Sequence, residues 1–350
     1  MIRSGIVKSI SIYDELNEYF NLEENGWLGS DVAHSIKLNQ SLVLWLFGDT
    51  FIGKKKGNRR SNDCTFINNS IGLMQLENNL PVGMKYFWSI DNGVPASFFV
   101  NKPELPGDYL WPTNGIILNN SLIIFSMAVN QTMDNSIDIA GTVVIKIINY
   151  NDDPNKWVID MWDFNYVDGI PHAGLYASDS YLYFFITNRN YSPDGMMLGR
   201  MGDDFIDYKK NSDKLEYYCG TNWSYSNKNS IQLFKPGNTE TSIYYCDNTK
   251  HFFSTTYKPQ DNRILLTWSS RLTGPWSNPE IIYNVPEKNK SFPVHSYAAR
   301  IHGWLSQTKG VLIISYATNE FGGIDNLMRS EGIDIYRPRF IEVQLNKYCV

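Results

Sequence analysis

The residues best able to do chemistry recur at one point of a repeating pattern: Asp31 in WLGSD, Asn114 in WPTNG, His172 in IPHAG, Glu240 in GNTETS, and His295 with Tyr297 in VHSYAA. Two of these groups are carboxylic acids. A pair of carboxyls flanking a bond is what glycoside hydrolysis requires, one giving a proton to the leaving oxygen and the other serving as base or nucleophile. Amide, imidazole and aromatic neighbours suit a sugar, whose rings have apolar faces and whose hydroxyls need both donors and acceptors. A second set follows the repeats: Asp49 in FGDT, Asn188 with Arg189, and Tyr316 with Asn319. Trp27, Trp111 and Trp223 precede the repeats and are expected to wall the same pocket.

These positions correspond because of the elements around them. Five segments share one form: VAHSIKL-NQ-SLVLWLFGDTF, GIIL-NN-SLIIFSMAV, AGLYA-SD-SYLYFFITN, TSIYYC-DN-TKHFFSTTY and YAARIHGWLSQTKGVLIISYATN. Each is two β-rich runs around a polar break, the signature of a β-hairpin. The turns are expected near 39–40, 119–120, 178–179, 247–248 and 306–309. Strand-forming runs follow every hairpin, as in SIGLMQLENN and RILLTWSSRLTGPWSNPEIIY, which makes each repeat a four-stranded antiparallel unit. Five such units predict an all-β chain, a five-bladed β-propeller occupying residues 1–350 as a single domain. GIVKSISIY at 5–13 has no hairpin partner and is expected to complete the last blade.

The first strand of each propeller blade lines the axis, so the starts of the first strands meet at one mouth. Asp31 and Glu240 then stand in blades one and four, across the axis from one another, with Asp31 expected as base or nucleophile and Glu240 as acid. Each candidate also has a structural reading. Asp49 either supports Asp31 or caps a turn; Asp179, Asp247 and Asp261 fit turn caps; His172, His295 and especially His302 fit core histidines; Arg59 and Arg60, in GKKKGNRRSND, fit solvated surface unless one reaches substrate.

Composition bounds the alternatives. The chain has 43% apolar residues and 14% aromatics, with 22 Tyr, 18 Phe and 10 Trp, a profile that suits strands and aromatic surfaces. A net charge of −5 offers no basic field for nucleic acid. Cys64, Cys219, Cys246 and Cys349 lack metal-ligand or disulfide-framework spacing, so neither metal nor cofactor is expected. No run is long and apolar enough to suggest a membrane partner, and the given N-terminus reads as carrying no export signal.

At WLGSD…LWLFGDTFIG, GNTETSIYY, SSRLTGPWSNPEIIY and YAARIHGWLSQTKGVLIISYATN the chain resembles bacterial five-bladed propeller glycosidases. It is most similar to a formerly uncharacterised family in which endo-D-arabinanases are recognised, with arabinanase and xylosidase families as broader relatives. The resemblance covers roughly residues 20–345. It implies that Asp31 takes the place of the catalytic aspartate and that Thr239 to Ser242 resembles the blade-four acidic motif. Asn114 stands where the broader group has a carboxylate that tunes pKa, a task that is either lost here or moved to Asp49.

The function expected is therefore hydrolysis of an arabinose-containing or related furanoside polymer, cleaved internally. A non-catalytic glycan-binding propeller would keep the aromatic walls without needing opposed acids. A glycoside phosphorylase would use cations such as His172, Arg189 and His295 for phosphate.

Overall fold

The computed structural model describes residues 5–21, 23, 25–133, 136–164, 169–187, 195–209, 212–258, 261–289, 292–306, 308–320, 324–329 and 332–346. Among the described residues, five antiparallel sheets surround an axis, a five-bladed β-propeller, and Ser89–Asp91 pairs with Val94–Ala96 in a separate two-stranded ribbon. Blade one runs Asn25–Lys37, Leu42–Lys54, Ser70–Glu77 and Leu80–Phe87, with Thr65–Ile67 added beside its second strand. Blade two is Tyr109–Leu118, Ser121–Asn130, Asp138–Ile147 and Ile159–Asp163. Blade three begins Ile170–Ser178 and Tyr181–Thr187, and blade four begins Tyr244–Cys246 and His251–Lys258.

Blade five closes the ring. Val294–Ile301, Val311–Glu320 and Arg339–Leu345 are joined by Val7–Ile12, which pairs with the last of them from Val7↔Leu345 to Ile12↔Ile341. The N-terminal strand thus completes the final blade, as its unpaired pattern predicts.

The hairpin turns follow local chemistry. Asn119 and Asn120 both have positive φ, 47° and 56°, the geometry a two-residue turn between twisted strands demands and asparagine tolerates. In blade three the turn is Asp179–Ser180, φ 53° and 61°, with Ser178 paired to Tyr181, one residue beyond the position expected from the sequence.

Blades pack face to face, so the second strand of each hairpin, as in Leu42–Lys54, Ser121–Asn130 and Val311–Glu320, is buried on both sides and shows no alternation. Val43, Trp45 and Trp27 of blade one meet Ile313 and Phe340 of blade five; Phe253 and Ile264 of blade four meet Leu312 and Ile314 of blade five. This packing corrects three expectations. Trp27 is fully buried, stacked on Tyr86 at 4.6 Å, and walls no pocket. Tyr316 faces blade four, where its hydroxyl meets Glu287 at 3.1 Å and its ring lies 5.8 Å from Tyr283. Trp223 sits on the outermost strand of blade three, against Tyr183, Tyr218 and the Arg200 guanidinium.

Arg60 departs furthest from its surface expectation. It is fully buried, with Nε donating to the Leu28 carbonyl at 2.8 Å, Nη1 to Leu327 at 2.7 Å and Gly332 at 3.1 Å, and Nη2 to Ile335 at 3.0 Å. The fork of donors ties the segment before Tyr336 onto blade one. Gly29, at φ +117°, makes the approach possible, since a Cβ there would lie 2.5 Å from the Tyr336 carbonyl oxygen and 2.7 Å from Arg60 Nη2. Arg60→Met should lower stability by about 3 kcal/mol or more, because four carbonyls lose charge-assisted bonds. Arg60→Lys should recover only part of it, a point charge being unable to reproduce the fork. Chemical denaturation of the three proteins checks both statements.

Candidate active site

The acids are placed by irregular backbone. In blades one, two, three and five the pairing of first and second strands slips near the mouth, between Ser30 and His34, at Pro112–Asn114, between Ile170 and Gly174, and between Tyr297 and Arg300. Pro112 and Pro171 have no N–H to give to a ladder, which accounts for two of the slips. A bulge turns a side chain to a face that strict alternation would deny it. In blade one Val32 adopts φ 60°, unusual for a β-branched residue, and Ala33 φ 124°; in blade five Ala298 adopts φ 50°. The backbone is strained directly after Asp31 and directly after Tyr297.

The outcome is a cluster of three carboxyls. Asp31 Oδ2 accepts a bond from the Tyr297 hydroxyl at 2.9 Å, and Oδ1 is buried without a hydrogen-bond partner among the described residues. Desolvation first, then the charge of Asp49, then that of Glu240, hold the Asp31 carboxyl well above the usual carboxylate range, against the Tyr297 bond. Asp49 Oδ1 accepts from Trp111 Nε1 at 2.7 Å. Its carboxyl is pushed up to about 7 by burial, although the Trp111 and Asn68 side chains both favour the ionised form. Glu240 is buried, and its Oε2 accepts from Thr239 Oγ1 at 2.5 Å and from the Tyr257 hydroxyl at 2.7 Å.

Two tyrosines complete the surroundings. Tyr297 is kept a phenol by burial and by the charges of Asp31, Glu240 and Asp49. Tyr336, from the segment that Arg60 holds, is likewise raised by burial and then by Asp31 and Asp49. Gly48 lies against Asp31: a Cβ there would stand 2.4 Å from Oδ1. Gly48→Ala should therefore displace the carboxylate and lower kcat up to about 10²-fold, with little change in melting temperature. Kinetics and a thermal melt on the same preparation check it.

Beneath the acids, one circuit of hydrogen bonds passes through all five blades. Arg300 Nη1 donates to His34 Nδ1 at 3.2 Å and to the Thr241 carbonyl at 2.8 Å. His34 Nε2 meets the Gly115 carbonyl at 3.3 Å; since Nδ1 accepts from arginine, Nε2 carries the proton. Asn114 Nδ2 and the Thr241 amide both donate to the Ala173 carbonyl, at 3.4 and 3.0 Å. His172 joins the floor through Thr113 Oγ1 at 2.5 Å, and burial holds its ring neutral, down to about 3.

Asn114 and His172 thus converge on the axis as the sequence suggests, but as buried floor. His295 stacks on Tyr297 at 5.4 Å, lowered to about 4 by burial, and Asn319 pairs opposite it in the ladder. His302 is a core histidine, bonded to Ser35 and Ser315 between blades one and five. Asn188 and Arg189 lie outside the described residues. Cys64, Cys219 and Cys246 are free. Among the described residues no three His, Cys, Asp or Glu groups are placed to hold a metal ion, and no helix is long and apolar enough to cross a membrane.

His34, Asn68, Tyr257, Arg300 and Tyr336 join the site without standing out in the sequence. For two of them a signal was present. DVAH and YAAR put His34 and Arg300 three residues after Asp31 and Tyr297, across equivalent bulges. Tyr336 stands in IDIYRPRFIEVQL, the strand-forming run after the fifth hairpin, where nothing marks it out.

The profile of one protein family spans residues 14–346, nearly the whole propeller. The chain belongs to the family described as domain of unknown function DUF5005. No curated protein matches this DUF5005 chain significantly. Among solved structures it is similar to a putative hydrolase from Bacteroides ovatus ATCC 8483, with 18% identity, 95% of this chain and 90% of that one covered, and a TM-score of 0.76. It is also similar to Zg3597, a family 117 glycoside hydrolase produced by the marine bacterium Zobellia galactanivorans, with 10% identity, 96% and 90% coverage, and a TM-score of 0.53. At such identities the likeness of these proteins to the DUF5005 chain is one of fold.

Proposed function

We propose that this protein is a glycoside hydrolase whose axial mouth cleaves an arabinose-containing or related furanoside polymer internally. The observation that carries the reading is the carboxyl cluster: Asp31 and Asp49, on neighbouring strands of blade one, are both raised, and Asp31 is raised further by Glu240 from blade four. A module that only binds glycan has no use for a carboxyl held protonated up to about 7, as Asp49 is. Glycosidic cleavage does, because the leaving oxygen must be protonated.

The charge of Asp49 opposes ionisation of Asp31, so the titrations of the two blade-one acids are coupled. With the proton on Asp49, the charge that opposes ionisation of Asp31 is relieved, and the Tyr297 hydroxyl supports the Asp31 carboxylate. Asp31 is then base or nucleophile, the role the sequence suggests. The proton donor moves from Glu240, whose Oε2 is engaged by two hydroxyls, to Asp49, whose value of about 7 suits a general acid near neutral pH. Glu240 contributes its charge across the axis.

The furanoside assignment rests on the resemblance around WLGSD and FGDT. Its test is incubation with D-arabinan, L-arabinan and xylan, with and without phosphate, and sizing of the earliest products. Oligosaccharides from an arabinan without phosphate are expected. Release of monosaccharide alone would reject internal cleavage, activity confined to xylan would reject the furanoside, and a phosphate requirement would identify a phosphorylase.

A further inference from the structure

A cavity of about 330 Å³ opens beside Asp49 between blades one and two, lined by Phe66, Asn68, Val100, Asn101, Asp108 and Tyr109 among others. Its size falls at the lower end of small-molecule sites, roughly 300–1,000 Å³. It connects to the acids through two of its lining residues: the Asn68 side chain favours the ionised Asp49 carboxyl, and Tyr109 packs edge-on at 5.5 Å against Trp111, which donates to Asp49.

The lining has the two faces a sugar needs. Phe66 is 41% exposed, an unusual cost for a phenylalanine beside buried Phe51 and Tyr336, and Tyr109 is half-buried. Asn101 is held rigid, with Nδ2 donating to the Pro106 carbonyl at 2.9 Å and to Gly107 at 2.7 Å. Its Oδ1 is buried and has no partner among the described residues, an acceptor suited to a hydroxyl donor. No lysine or arginine lines the cavity among the described residues, which argues against phosphate or a uronate as its ligand.

From this placement we infer that the cavity is the subsite for the sugar residue on the leaving-group side of the scissile bond, taking a neutral glycan through the Phe66 and Tyr109 rings and the Asn101 oxygen. The inference rests on the proposed function and on Asp49 facing the leaving oxygen: the sugar that departs with that oxygen then lies beyond Asp49, where the cavity is.

The test fills the cavity from its exposed rim with Val100→Trp, with Val100→Ala as the control for substitution at that point. Two substrates are compared, an arabino-oligosaccharide, whose leaving sugar needs the subsite, and arabinofuranosyl fluoride, whose leaving group does not. Val100→Trp should lower kcat/KM for the oligosaccharide about tenfold or more, chiefly through KM, and leave the fluoride within about twofold. Unchanged oligosaccharide kinetics, or an equal loss on both substrates, would overturn the subsite while leaving the hydrolase reading intact. If wild type acts on neither substrate, the hydrolase reading is what fails, and calorimetric binding of the oligosaccharide decides the cavity: weaker binding to Val100→Trp supports it, while equal binding or none overturns it.

Discussion

Asp31→Asn should lower kcat on the polymer by about 10³-fold or more, the upper part of the range for removing a positioned acid or base. The side chain is nearly isosteric, and its surroundings predict that the fold survives. Oδ2 accepts one bond, from a tyrosine hydroxyl that could equally donate to an amide oxygen, and Oδ1 has no partner among the described residues to lose. What disappears is the charge. An amide can neither take a proton from water nor attack an anomeric carbon, so the loss should fall on kcat with KM little changed. Arabinofuranosyl fluoride should not rescue it, because the missing step lies on the attacking side of the bond.

Asp49→Asn should produce a loss of about 10²- to 10⁴-fold on the polymer, with two signatures that set it apart. First, fluoride leaves without a proton, so the variant should retain substantial activity on arabinofuranosyl fluoride. Second, wild-type activity should fall as pH rises through about 7, where Asp49 loses its proton, and this alkaline limb should be absent from the variant.

Stability should respond in the opposite direction. The folded-state value of Asp49, about 7, lies above its ordinary 3.8, so between those values the folded protein binds more protons than the unfolded chain. Stability therefore declines as pH rises from about 4 to about 7 and stays lowered above it. Asparagine carries no such charge. The variant should match wild type near pH 4 and exceed it at pH 8, by on the order of 2–4 kcal/mol, as measured by denaturant titration at both pH values. A variant that is more stable and less active is the mark of an acid retained for function.

How far the residues alone reach can be judged from particular cases. The hairpins are legible because their signals are local: Asn-Asn between two apolar runs fixes a turn whatever surrounds it. Asp31, Glu240 and Tyr297 are legible because five copies of one unit bring equivalent positions to one axis. Tyr316 and Trp27 are not. Blades buried on both faces erase the alternation that would say which way a residue points, and the bulges after Ser30 and Tyr297 invert that direction locally. Arg60 escapes for a different reason: it lies outside the repeats, and its bond to the Ile335 carbonyl joins positions 275 apart. Hydrophilic sequence around Arg60 describes the loop correctly and its arginine wrongly, since the guanidinium finds its partners in carbonyls of distant chain.

The most direct test of a two-carboxyl hydrolase in this mouth is to digest the arabinan and xylan panel in oxygen-18 water with wild type and with Asp31→Asn, and to weigh the products. Wild type should yield new reducing ends from an arabinan, each carrying one oxygen-18 at the anomeric position, and the variant almost none. Cleavage that places no label at the anomeric carbon, equal cleavage by Asp31→Asn, or no cleavage of any member of the panel would contradict the two-carboxyl hydrolase.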